Sequence, residues 1–398
     1  MLNFRKFKEK IAEGVLFSSS TITSIAVILI IIFLFREGIG LFSEKPIDKN
    51  FFISVNKRNP VNNLTAKNIK DIFNQDVTNW SKVGGKNDSI IVFTINSISL
   101  FFKENELGDN FARLPFKIDS LVDATPGIIA FVSNKYKATN FRGKEIPVEK
   151  ISVGEFISGK EWYPTSEPVA SLGILPLILG TLWVSFGAIL IAVPFGLATA
   201  IFMAEIANRK LRNILKPVIE LLASIPSVVY GFFGLVVLVP LIQHLFKLDV
   251  GETALAGSII LGIMALPTII SVSEDSIQTT PRSLKEASLA LGANKWQTII
   301  RVIIPYSKSG ITAAVILGIG RAIGETMAVL MVTGNAGVIP HTFLQPVRTI
   351  PATIAAELGE APFGGLHYKA LFALGIVLFI ITFIINLIVE FIKKRKPH

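Results

Sequence analysis

EASLALGANKWQTIIRVIIPYSKSGITAAVILGIGRAIGET, residues 286–326, runs a charged, helix-prone loop straight into an apolar segment carrying Arg321 and Glu325. The apolar half decides the fold. A charged residue at the centre of a membrane helix costs about 2.5–3.5 kcal/mol on insertion scales, so it faces a water-filled cavity or a partner helix. Arg321 lies about 11 residues into its run, roughly 16 Å at 1.5 Å per residue, too deep to snorkel easily. Glu325 follows one turn later, at the i,i+4 spacing that permits an ion pair. A guanidinium offers a planar fork of donors that matches phosphate-like oxyanions. Two readings stand at this point: a pathway for an anion, or a structural ion pair fixing one helix against another. Thr326 and Thr333 could add hydroxyl donors or bond back to their own helix. Gly318, Gly320 and Gly324, with Ala314 and Ala328, form a small-residue face that expects a close neighbour helix.

The rest of the chain has the same character. Hydrophobic residues make up 51% and charged ones 17%, with a mean hydropathy of +0.58, outside the soluble range. Apolar runs near 16–36, 178–204, 214–243, 254–274, 310–333 and 369–392 each approach the roughly 20 residues a spanning helix needs. Six spans is the expected count. Lys and Arg mark one side: Arg5, Lys6, Lys8 and Lys10 before the first run, Arg209, Lys210 and Arg212 after the second, Arg282, Lys285, Lys295, Arg301 and Lys308 after the fourth, and Lys393–Lys396 after the last. Both termini, 1–15 and 393–398, are therefore expected in the cytoplasm. The net charge of +10 reflects topology, not a nucleic-acid footprint. The first run has no cleavage site behind it and reads as an anchor. With no cysteine there is no disulfide framework or thiolate metal site. His341 and His367 are unclustered, so no metal and no cofactor is assigned.

Residues 37–168 differ in composition, with frequent Lys, Asn, Asp and Ser, and fall outside by topology. Ile90–Ile95 and Gly127–Val132 read as strands. Thr65 is placed to N-cap a helix with Ile69 and Phe73 on one face. A small α/β module inserted into an otherwise all-α membrane protein fits best.

In the loop 281–305, Pro281 ends the fourth segment and Ser283 is placed to cap a short helix. Leu284, Ala287 and Leu291 form an apolar stripe, Gly292 breaks it, and Trp296–Ile304 begins a second piece running to Pro305. A short helix of this kind can seat in a groove on a soluble partner.

Glu286-Ala287-Ser288, Gly292, Val302, Ile304 and Pro305 resemble the "EAA" signature of bacterial ABC importer permeases, Glu-Ala-Ala followed at fixed spacing by Gly and then Ile-x-Leu-Pro. The chain departs from it at Ser288, Val302 and Ile304. Gly320–Val329, Ser224–Leu235, Glu161-Trp162-Tyr163-Pro164 and Gly180-Thr181-Leu182 resemble the phosphate importer permeases, and Met327 favours the PstC-like subunit over its PstA-like sister. The resemblance covers 155–392. It implies a type I ABC importer permease core over 169–392, in a bacterial cytoplasmic membrane. It implies as partners a sister permease, two copies of an ATPase and an extracytoplasmic phosphate-binding protein, with inorganic phosphate as cargo. Arg321, Glu325 and Thr326 would line the pathway, and Glu286, Ala287, Gly292 and Pro305 would belong to the loop that contacts the ATPase. No Gly-x-x-x-x-Gly-Lys-Ser/Thr pattern occurs in the chain, so ATP hydrolysis would come from elsewhere and the chain is not itself an enzyme. Another tetrahedral oxyanion, sulfate or molybdate, is the alternative cargo; a membrane sensor is the reading from another class.

Asn63–Thr65, Asp71–Phe73, Thr78–Trp80, Gly84–Lys86 and Thr125–Val132 resemble part of a phosphate-binding protein. In that family an arginine and a Ser-Gly-Thr turn hold the anion. Here Asn96-Ser97-Ile98-Ser99-Leu100 stands in their place, so the insertion is expected to dock or gate rather than bind, with a real but altered anion site as the alternative.

Overall fold

A computed structural model describes residues 2–394. The first helix, α1 (Leu2–Ile39), is exposed along residues 12–30 and packs over its last turns. There Phe33 and Phe35 meet Phe372 and Phe379 edge-on, and Gly38 closes against Ile376.

The insertion follows. Strands β1 (Phe51–Val55), β2 (Ile91–Thr94), β3 (Ile128–Ser133) and β4 (Lys144–Glu145) form one sheet in the order β2-β3-β1-β4. β1 runs antiparallel to β3, and β2 parallel to it. β3 reads as an unbroken apolar run because both of its faces are covered. Ile129 and Phe131 pack with Ile53, Val55, Ile69, Ile72 and Trp80; Ile128, Ala130 and Val132 pack with Phe52, Phe93, Leu114, Ile118 and Val122 on the other side. The helix α2 (Ala66–Phe73) is capped by the Thr65 hydroxyl, which accepts from the Asn68 amide, as the sequence predicts. Trp80 buries its ring, and its indole N–H donates to the Gly127 carbonyl at 2.8 Å. The helix α3 (Leu114–Ala124) lies between β2 and β3 in the chain and covers that second face, and the chain leaves the insertion through a two-stranded ribbon, β5 (Trp162–Tyr163) and β6 (Ser171–Leu172).

The helical region is organised around α4 (Leu175–Ile201) and the later helix α7 (Ala254–Gln278). Small residues let these two backbones approach closely. A Cβ on Gly187 would sit 2.3 Å from Ser258 Oγ, and one on Gly196 would sit 2.7 Å from Ile269. Ala188, Ala192 and Ala265 fill the same seam.

Between them, the expected run 214–243 is not one helix. Residue types before proline avoid the helical region, and at Ile225-Pro226 the chain breaks. On one side lies the amphipathic α5 (Arg209–Ser224), on the other the span α6 (Ser227–Phe246). The Tyr230 hydroxyl donates to the Leu222 carbonyl at 2.9 Å and ties the two across the break.

After α7 come α8 (Arg282–Ala290), α9 (Lys295–Tyr306), α10 (Lys308–Gly324), α11 (Met327–Val332), α12 (Ile350–Glu357) and α13 (Leu366–Lys394). Among the described residues five helices are long and apolar enough to cross a membrane, or six when the pair α9–α10, bent by 71°, is taken as one span. The end of the basic tail, 395–398, lies outside the described residues.

Candidate functional site

The segment around Arg321 is built differently from its expected geometry. α10 ends at Gly324, and Glu325 adopts an extended conformation with ψ 134°. The helix resumes at Met327 as α11. The i,i+4 relation that would join Arg321 to Glu325 requires a continuous helix, and the break removes it. Among the described residues no ion pair joins Arg321 to Glu325. Instead an Arg321 guanidinium nitrogen reaches the Thr268 hydroxyl on α7 at 3.4 Å. The Thr326 hydroxyl donates to the Gly324 carbonyl, and the Thr333 hydroxyl back-bonds to Val329 at 2.9 Å. Both threonines thus make the local bonds that their sequence context allows.

The expected small-residue face divides into two. Ala314 and Ala322 are buried, and Gly318 brings Ile269 of α7 so close that a Cβ would lie 2.9 Å from it. Gly320 and Gly324 have nothing within 4 Å of the Cβ position, and Leu317 and Met327 beside them are exposed. Arg321 sits at the edge of this open strip.

The loop 281–305 forms two helices hinged at Gly292, whose φ of +86° is left-handed and favours glycine. The cap position of α8 is held by Pro281, not by the hydroxyl of Ser283. No residue of α8 is buried. Its stripe of Leu284, Ala287 and Leu291 faces outward, with Leu291 90% exposed, and Glu286 is exposed with it. On the inner face Lys285 pairs with Glu205 at 2.6 Å, and the Ser288 hydroxyl meets that of Thr298 at 3.0 Å. Asn294 and Gln297 cap the start of α9 reciprocally. Ile299 and Ile303 of α9 are buried against Ala200 and Ile277, so α9 is anchored where α8 is not. Pro305 is exposed at the end of α9.

In the insertion, the turn after β2 is filled rather than open. The Ser97 hydroxyl accepts from the Thr94 amide at 3.1 Å, and Ile98, Phe101 and Phe102 pack into the core below β2. The hydroxyl is spent on capping, and apolar side chains occupy the surroundings.

Residues 192–396 match the family model described as "binding-protein-dependent transport system inner membrane component". The chain belongs to this family. Residues 47–172 match a second model, "PBP superfamily domain". A probable ABC transporter permease protein of Bacillus subtilis, YqgH, is 42% identical over 250 residues, covering 63% of this chain and 80% of that protein. The phosphate transport system permease protein PstC of Mesorhizobium japonicum is 40% identical, covering 60% and 78%. The PstC of Pasteurella multocida is 37% identical, covering 61% and 81%.

Three charged clusters in this inner membrane component escape a reading of the sequence. Glu274, wholly buried on α7, receives Arg212 Nε of α5 at 2.7 Å and Gln278 at 2.5 Å. Lys216 stands 3.3 Å away. A charge buried this deeply must be paired, and the pairing fixes α5 beneath α7. Asp275 and burial act in opposite senses on Lys216; the hydrogen bond to Asp275 prevails and raises its pKa. Lys285 and Glu205 form the second cluster. The third joins the insertion to the helices: Glu357 at the end of α12 accepts from the Trp162 indole at 3.1 Å, from Arg348 at 2.9 Å, and pairs with His367 at 2.8 Å. Burial pushes the Glu357 carboxyl up, but the bonds from His367 and Trp162 and the charge of Arg348 outweigh it and hold the pKa below the ordinary carboxylate value.

That junction also explains two short motifs. A Cβ on Gly180 would lie 2.3 Å from the Arg348 carbonyl, and the Thr181 hydroxyl accepts from the Ile350 amide at 3.0 Å. Gly180-Thr181 and Trp162 therefore brace the same loop. A signal was available for Glu274, an acid closing an apolar run. Glu205–Lys285 and Trp162–Glu357 are separated by too much sequence for any local pattern to join them.

Proposed function

We propose that this chain is a membrane-spanning permease subunit of an ATP-driven importer of inorganic phosphate, both termini cytoplasmic, with the type I importer architecture. It would form the pathway with a PstA-like sister permease, receive phosphate from an extracytoplasmic binding protein, and draw its energy from two copies of a separate ATPase. The observation that carries this reading is Arg321: a guanidinium within a membrane segment, bonded to a hydroxyl rather than neutralised by a carboxylate, at the edge of an open strip of glycine backbone. Such a group can take an oxyanion transiently and release it, as a pathway must. Glu325, turned off the helix at the break, and Thr326 would orient the anion. Glu286, Ala287 and Gly292, together with the outward stripe of α8, would meet the ATPase, with Pro305 closing the loop. The insertion, residues 37–168, would dock or gate without binding phosphate itself.

Radiolabelled phosphate uptake in a strain lacking the chain tests the reading, with sulfate and molybdate as competitors. Restored uptake that excess sulfate and molybdate leave unchanged supports phosphate. Competition by either one transfers the assignment to that oxyanion, and failure to restore uptake of any of the three overturns it.

A further inference from the structure

The helix α8 poses a mechanical problem. A helix that transmits force must move with something, yet α8 buries no residue of its own, and Gly292 hinges it to α9. Its inner face offers two polar tethers. Ser288–Thr298 holds α8 to its neighbour in the same loop. Among the described residues, Lys285–Glu205 is the tether of α8 that reaches outside the loop, across 80 residues of sequence.

Glu205 is firmly placed. It lies in the wide helical turn Phe202–Ile206 that closes α4, directly after buried Met203 and after Ala204, which packs against Ile277, Ile299 and Ile303. The Glu205 side chain is 11% exposed and that of Lys285 24%, so solvent screens the pair far less than a surface bridge. We propose that Glu205 is a positioning residue: through Lys285 it fixes α8 to the end of α4, so that a displacement of α8 is delivered to the α4–α7 core rather than absorbed at Gly292. This rests on the reading of α8 as the ATPase-contacting helix.

The test uses the whole complex, permeases, ATPase and binding protein, in proteoliposomes, with phosphate uptake and ATP hydrolysis measured side by side. Glu205→Gln and Lys285→Met should each lower phosphate moved per ATP by about fivefold or more, the scale of a typical coupling between sites, while the ATPase still co-purifies. The charge-reversed pair Glu205→Lys with Lys285→Glu should recover most of the loss, which a merely destabilised loop would not. Wild-type phosphate per ATP in the single variants, or a reversed pair no better than either single reversal, overturns the proposal. Should Glu205→Gln fail to accumulate, Lys285→Met, on a helix without buried residues, carries the same measurement. Leu291→Asp separates the two claims. Lost ATPase co-purification upholds the contact reading whatever the Glu205 variants do; retained co-purification and uptake removes that reading and the positioning role with it.

Discussion

The two faces of α10 are made of the same small residues and do opposite things. Ala314, Gly318 and Ala322 lie against α7, where Ile269 fills the space a glycine leaves. Gly320 and Gly324 face outward with that space unfilled, beside exposed Leu317 and, at the start of α11, exposed Met327. Composition cannot tell the faces apart; only the position of α7 does. Small residues on the closed face are packing and belong to stability. On the open face the same residue types leave room beside Arg321, and the proposed pathway would use that room.

The sharpest way to break this contrast is Arg321→Gln. It keeps a hydrogen-bonding side chain at the Thr268 hydroxyl but removes the charge, and we expect uptake to be abolished while the complex assembles normally. Next in size is a pair of glycine substitutions. Gly318→Leu drives side-chain atoms into Ile269 and should cost about 1–3 kcal/mol of overpacking, seen as a lowered thermal midpoint in detergent. Gly320→Leu should leave that midpoint in place and reduce uptake instead. Equal destabilisation by the two would erase the distinction between the faces.

The closed side continues through α11 and α12 to the junction at Glu357, and a pH titration sharpens that end. The Glu357 pKa is depressed in the folded state. Its stabilising contribution is therefore present above the ordinary carboxylate value and is lost as pH falls through the depressed folded value. Trp162 fluorescence, taken as the difference from Trp162→Phe, should change over that acid range, and Glu357→Gln should remove the transition. The smallest expected effect is Ser288→Ala, which loses one hydroxyl–hydroxyl bond in a half-exposed place. It should cost about 0.5–1.5 kcal/mol in loop stability, with α8 exchanging its amide hydrogens faster.

Much of the fold was legible because bilayers impose length and apolarity on any spanning helix, and Gly127–Val132 reads as a strand whatever surrounds it. The break at Ile225-Pro226 was written in the proline, although apolar residues on both sides disguise it as one run. The Arg321–Glu325 pairing was misread for a physical reason: the i,i+4 rule presumes a continuous helix, and nothing in Gly-Glu-Thr announces that the helix stops at Gly324. The tethers of α8 and of the insertion were not legible at all. A lysine such as Lys285 looks like any positive-side charge until the fold brings Glu205 to it. Ser288, a departure from the importer signature by sequence, has a partner in Thr298 that only the folded loop supplies.

The most direct test of the central claim is phosphate uptake by the reconstituted complex carrying Arg321→Gln beside the unaltered chain, with assembly checked in the same preparations. The expected result is an assembled complex that moves no phosphate. An assembled Arg321→Gln complex importing phosphate at the unaltered rate would contradict it.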